Sequence, residues 1–267
     1  MLKDVTIGQY YQASSVIHRL DPRVKLFATL IFLITVFMTK SPIGFIIVTG
    51  FLTVAMVLSR VPLKYMLKGL KGIIVLLFIS VLFTLFFTDG NVLWRFGIIK
   101  ISEEGIKQSI IVFIRLLYIV VGSSIMTLTT TPNDLTDGME KAFSPLKKIK
   151  VPVHDIAMMM SIAFRFIPIL MEEADKIMKA QIARGADFNE GNIIKKAKGL
   201  IPLIVPLIVS AMNRAIELAT AMESRCYHGG DGRTKMKPLV YKKTDMAAYA
   251  VCFVYLIMVI ILKIFFN

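Results

Sequence analysis

The chain has 267 residues, 56% of them hydrophobic, with a mean hydropathy of +0.69. A soluble domain carries about 45–50% apolar residues, and here the excess gathers in long runs, so the chain is read as an all-α polytopic membrane protein. The net charge is +14, from 32 Lys and Arg against 18 Asp and Glu, but no zinc-ligand spacing, RNP motif or basic-aromatic stripe accompanies it; that argues against nucleic acid and assigns the surplus to loops on the inner side of a bilayer.

Residues 1–25 are polar, with no apolar core and no small-x-small cleavage site, so no cleavable signal is expected. They end in His18-Arg19-Leu20-Asp21-Pro22-Arg23-Val24-Lys25. Asp21-Pro22 marks a helix start, because proline fits the first helical position. Two short apolar runs follow, Leu26–Met38 and Ile43–Leu58, separated by Thr39-Lys40-Ser41-Pro42. Each falls short of the roughly 20 residues of a comfortable span, so two short spans joined by a tight turn are expected. Ser59–Gly72 holds Arg60, Lys64, Lys68 and Lys71 and no acid, an inner loop. Ile73–Thr88 is the third span. Asp89–Gly105, with Asp89, Glu103 and Glu104 against only Arg95 and Lys100 and carrying the single Trp94, is placed outside with the indole at the interface. Ile106–Thr129 is the fourth span. Arg115 inside it needs a polar contact between helices, a partner subunit, snorkelling or a backbone carbonyl in the bundle.

Residues 131–245 hold 18 of the 32 basic residues and are placed in the cytoplasm. Met246–Phe266 is the fifth span. Three parts follow: a membrane domain over 1–130, a cytoplasmic module over 131–245 and a last span over 246–267. Both termini of that reading are fixed by charge: the N-terminus inside, the C-terminus outside. Cys226 and Cys252 are too few for a disulfide framework and are both expected reduced.

The cytoplasmic module carries the informative residues. Thr131-Pro132-Asn133-Asp134 caps a short helix to about Phe143. A second helix runs from Val151-Pro152 to Arg184, with Pro168 inside it and Gly185 just past its end. Its second half is amphipathic: the pairs Glu172/Lys176 and Asp175/Lys179 lie opposite Ala174, Ile177 and Met178. After a reset at Gly199-Leu200-Ile201-Pro202, a third helix is expected from about Leu203 to Cys226, before a glycine-rich stop at Gly229, Gly230 and Gly232. Ala211, Ala215, Ala219 and Met222 form one stripe, small enough for two helices to cross closely there, with Arg214 and Glu217 pointing away. Each long helix ends on an arginine between small residues: Ala183-Arg184-Gly185 and Ser224-Arg225-Cys226. A cation at a helix C-terminus gains about 0.3–1 kcal/mol from the macrodipole, and small neighbours also leave the guanidinium fork free to enter a carboxylate-lined groove.

These residues resemble the transmembrane, or T, component of energy-coupling factor (ECF) transporters, the EcfT/CbiQ family. The likeness covers nearly the whole chain. It rests on His18 to Leu26, on Thr129-Thr130-Thr131-Pro132-Asn133-Asp134-Leu135, on Phe164-Arg165-Phe166-Ile167-Pro168, and most specifically on the two arginine triplets, of which Ser224-Arg225-Cys226 departs from the Ala-Arg-Gly form on both sides. The resemblance implies a scaffold in the prokaryotic cell membrane that links two ABC-type ATPase subunits to a substrate-binding membrane S component for vitamin or metal-ion uptake. It implies that Arg184 docks on one ATPase and Arg225 on the other, through crossed coupling helices. It implies no cofactor and no catalytic residue, in keeping with the lack of a GxxxxGK[ST] loop.

Two other classes compete. Asp134-Leu135-Thr136-Asp137-Gly138 is similar to the start of the CDP-alcohol phosphotransferase motif, where paired aspartates hold divalent metal, but Met139-Glu140-Lys141-Ala142 does not continue it. A self-contained carrier needs several polar groups within its spans, and Arg115 alone stands out. His18, His154 and His228 are too scattered for a metal site.

Overall fold

The computed structural model describes residues 10–96, 99–186, 193–229, 236 and 238–266. It is built of helices: α1 Pro22–Met38, α2 Pro42–Ser59, α3 Leu63–Phe87, α4 Glu103–Thr129, α5 Pro132–Ala142, α6 Val153–Ala183, α7 Ile193–Glu223 and α8 Lys243–Phe266. A short antiparallel hairpin, β1 Val92–Phe96 and β2 Ile99–Ser102, joins α3 to α4 where a plain loop was expected. Val92, Trp94, Phe96, Ile99 and Ile101 are strand-favouring residues, which accounts for it. The backbone of Trp94 lies in β1; its side chain is outside the described residues.

The chain divides into two compact units, one of residues 8–139 with 239–267 and one holding residues 140–238. In the first, α1 and α4 run antiparallel, and each holds the other's C-terminal carbonyl with a basic side chain. Lys25 Nζ donates to the carbonyl of Thr129 at 2.8 Å, and Arg115 donates to that of Thr39 at 3.1 Å. Helix ends leave unpaired carbonyls of partial negative charge, so both cations are used where the backbone needs them. Of the options for Arg115, the backbone carbonyl is the one realised. Midway, a Cβ on Gly122 would run into the ring of Phe32, so glycine permits the close approach.

Helices α2 and α8 close the core around Phe32, Val36, Leu52, Ile125 and Tyr255. The Tyr255 hydroxyl is paired with Thr35 Oγ1 at 2.7 Å. The remaining apolar side chains of α2, α3 and α8 (Ile46, Val75, Phe78 and Phe253 among them) face outward, as expected for contact with lipid.

Six helices are long and apolar enough to cross a membrane: α2, α3, α4, α6, α7 and α8. The count differs from the five-span expectation in two ways. Helix α1, with 17 residues, is about 26 Å long at 1.5 Å per residue, against a hydrocarbon core of about 30 Å. Helices α6 and α7 join the set because their prolines do not interrupt them, where a kink was expected at Pro168 and a reset at Pro202. Pro168 lies inside α6, and Pro202 and Pro206 lie inside α7, which begins at Ile193 rather than near Leu203. Proline costs one hydrogen bond but its fixed φ is helical, and Leu200 and Ile201 carry the helix across. Asn192, Gly230 and Gly232 lie outside the described residues.

Candidate functional site

Both arginines close their helices in the same way. After α6, the N–H of Gly185 donates to the carbonyl of Ile182 and that of Ala186 to Gln181, each at 3.0 Å. After α7, Cys226 donates to Glu223 at 2.9 Å and Tyr227 to Met222 at 3.1 Å. This is the paired 5→2 and 6→1 bonding of a Schellman cap. Arg184 and Arg225 occupy the same position in it, the last residue before the backbone turns left-handed. That turn is at φ +88° in Gly185 and φ +55° in Cys226. The triplet Ser224-Arg225-Cys226 therefore reproduces Ala183-Arg184-Gly185 in shape although it differs in letters. Cysteine accepts a left-handed conformation that glycine takes without steric cost.

Ala183, Arg184, Gly185, Ser224, Arg225 and Cys226 are all exposed. Neither guanidinium is ion-paired with a described residue, so the five N–H donors of each are available. A Cβ built on Gly185 meets nothing within 4 Å, so the space beside Arg184 is open.

Helices α6 and α7 pack antiparallel. Glu173 of α6 accepts from Ser210 at 2.6 Å and from Arg214 at 2.8 Å, and Gln181 reaches the carbonyl of Pro202 at 3.5 Å. Arg214 thus points toward α6, not away from it. The stripe of α7 that α6 half-covers is Leu203, Leu207, Ser210, Arg214 and Leu218, at helical spacing. Ala211 and Met222 flank it, half-buried, whereas Ala215 and Ala219 are exposed on the opposite side. The alanine stripe is therefore not the face that α6 covers. Glutamate at 173 was the signal overlooked: of Glu172, Glu173 and Asp175, it is the one bonded across to α7.

Ala215 and Ala219 continue a second stripe along α7, with Ile201, Ile204, Ile208 and Met212, all exposed. Helix α7 has two faces, one against α6 and one bare and apolar.

Gln181 lies level with Pro202, and Arg225 is a further 23 residues along α7. Arg184 lies three residues beyond Gln181 in the opposite direction, so at 1.5 Å per residue the two arginine ends are about 40 Å apart. No three His, Cys, Asp or Glu residues cluster as a metal site among the described residues. Asp134 serves as a helix cap, its backbone N–H and its carboxylate both bonded to the Thr131 hydroxyl at 3.2 and 2.7 Å.

The family comparison fits this geometry. The CbiQ model, described as cobalt transport protein, matches residues 13–236, which include both arginine triplets. The chain belongs to the CbiQ/EcfT family. Among its relatives, the energy-coupling factor transporter transmembrane protein EcfT of Ruminiclostridium cellulolyticum is 46% identical over 266 residues, covering all of both chains. The EcfT of Clostridium kluyveri is 47% identical over 98% of each chain, and that of Bacillus subtilis 47% identical over 92% of this chain and 93% of its own. As a CbiQ/EcfT member the chain is a multi-pass membrane subunit of a transporter and not an enzyme, which removes the phosphotransferase reading.

Proposed function

We propose that this chain is the coupling subunit of an ECF-type importer in a prokaryotic cell membrane, and that two ABC-type ATPase subunits dock on Arg184 and Arg225. The observation that carries the reading is the repeated cap: two free guanidiniums, held at the same position of the same backbone motif, at the ends of two packed helices. One partner's share of a standard interface is about 800 Å², a patch about 30 Å across. Two arginines separated by more than that width serve two partners rather than one.

The module holding α6 and α7 lies on the cytoplasmic side, with the N-terminus. Were these antiparallel helices to span the bilayer, their C-terminal arginines would emerge on opposite sides and could not meet one ATPase pair. Spanning would also bury Arg165 of α6 in lipid, at a cost of about 3 kcal/mol. Lying along the surface, α7 offers its bare apolar stripe to the substrate-binding S component, which selects the vitamin or metal ion. ATP-driven closure of the ATPases shifts the two helices, and the shift reaches the S component through that stripe. Reversing both charges (Arg184→Glu with Arg225→Glu) is expected to abolish co-purification of the ATPases while the S component stays bound. Ile208→Asp is expected to do the converse. Full ATPase recovery with the double reversal would refute the docking role.

A further inference from the structure

The long segment that carries both arginines leaves the membrane unit after Met139 and returns to it at Leu239. Both points are gripped, within the membrane unit, by the same few residues at the start of α1. Where the chain leaves, Gly138 of α5 sits on Pro22, and a Cβ on that glycine would lie 2.8 Å from the proline's own Cβ. Just upstream, Lys25 holds the last carbonyl of α4 at 2.8 Å, so both ends of the α4–α5 corner rest on residues 22–25.

Where the chain returns, the guanidinium of Arg23 donates to the carbonyl of Leu239 at 3.3 Å and lies 3.8 Å over the ring of Tyr241. Its other donors make a fork on Asp21, at 3.0 and 2.9 Å. Asp245, 1% exposed, accepts the backbone N–H of Asp21 at 2.9 Å and that of Lys242 at 2.7 Å. It thereby joins the first residue of the α1 cap to the first turn of α8. Burial opposes the Asp21 carboxylate, yet the guanidinium and N–H of Arg23 outweigh it and keep the carboxyl below the usual carboxylate range. The Asp21–Arg23 pair stays ionised across the neutral pH range.

We propose that Asp21, Arg23, Lys25 and Asp245 form a clamp within the membrane unit, which makes the starts of α1 and α8 and the α4–α5 corner move as one body. A joint this dense is stiff: the bidentate fork, the stacked ring and the buried carboxylate each fix orientation as well as distance. These are positioning residues, touching neither ATPase nor cargo. The inference rests on the docking proposed above.

The test uses the whole complex in lipid nanodiscs, with deuterium exchange followed over residues 19–27 and 242–252 under Mg-ADP and under Mg-ATP with vanadate. In the wild type both segments change exchange together between the two states. In Arg23→Lys, which keeps the charge but loses the fork, the nucleotide-dependent difference falls by more than half while the ATPases remain bound and turn over ATP. Tyr241→Leu, which removes only the ring beneath the guanidinium, gives the same loss in smaller measure and guards against misfolding of the first variant. Wild-type responses in both variants overturn the clamp and leave the docking intact. A wild-type complex that binds the ATPases but shows no response in either segment also overturns the clamp alone. A wild-type complex without ATPases overturns the docking, and the clamp with it.

Discussion

The two units hold themselves together by different means. The membrane unit has a continuous core, from Ile31 and Phe32 to Tyr255 and Val259, and buried polar ties that close its helix ends. In the unit of residues 140–238 only Ala157 and Ala174 are buried hydrophobics among the described residues, and α6 meets α7 through the half-exposed group of Glu173, Ser210 and Arg214. A helix pair with so little interior of its own gains its order from what binds it, and its bare stripe and free arginines are the surfaces left for that. The first unit is a closed platform, and the second leaves its surfaces open.

The largest effect that separates them is expected from Lys25→Met. It leaves the carbonyls of His18 and Thr129 without their charged donor, a loss of about 3 kcal/mol, and should lower the thermal midpoint of the whole subunit in detergent. An unchanged midpoint would mean the platform is not closed by that tie. Glu173→Gln weakens the α6–α7 contact by less than the Lys25→Met loss, since the pair is partly exposed. Limited proteolysis between residues 184 and 229 should quicken while the global midpoint stays put; a fall like that of Lys25→Met would erase the distinction between the units.

The repeated cap gives a smaller, signed test. Cys226→Gly should stabilise the end of α7 and Gly185→Ala destabilise that of α6, each by about 1 kcal/mol. Helical exchange protection of residues 216–224 and 175–183 reports both, and equal signs would contradict the shared left-handed turn. The smallest effect is acid sensitivity. Burial, with the Lys25 charge, holds the His18 imidazole below its ordinary pKa, against the opposing bond to the Tyr11 carbonyl. The neutral ring donates from Nε2 to Tyr11 and accepts the Ser15 hydroxyl at Nδ1. The unfolded chain then takes the proton more readily, so stability present above about pH 6.5 declines as the pH drops below it. His18→Gln should flatten that decline; the same slope in the variant would place the acid response elsewhere.

Much of this was legible in the letters. Asp21-Pro22 and Thr131-Pro132 announced their helix starts because capping is local chemistry, and glycine at 185 announced the end of α6. What escaped the sequence was set by packing. The face of α7 that α6 covers depends on Glu173 finding Arg214, 41 positions away, and alanine spacing alone pointed to the wrong side. Pro202 read as a reset but sits inside a helix whose apolar neighbours continue on both sides. Cys226 looked like a departure from the arginine motif, yet its backbone reproduces the motif's turn. The tie between Asp21 and Asp245 spans 224 positions and had no local signature.

The most direct test of the account is photo-crosslinking from residues 186 and 227, each adjacent to one arginine turn, in the intact complex. The account expects ATPase subunits to be trapped from both positions. Crosslinks from either position only into this chain's own helices, or only into lipid, would contradict it.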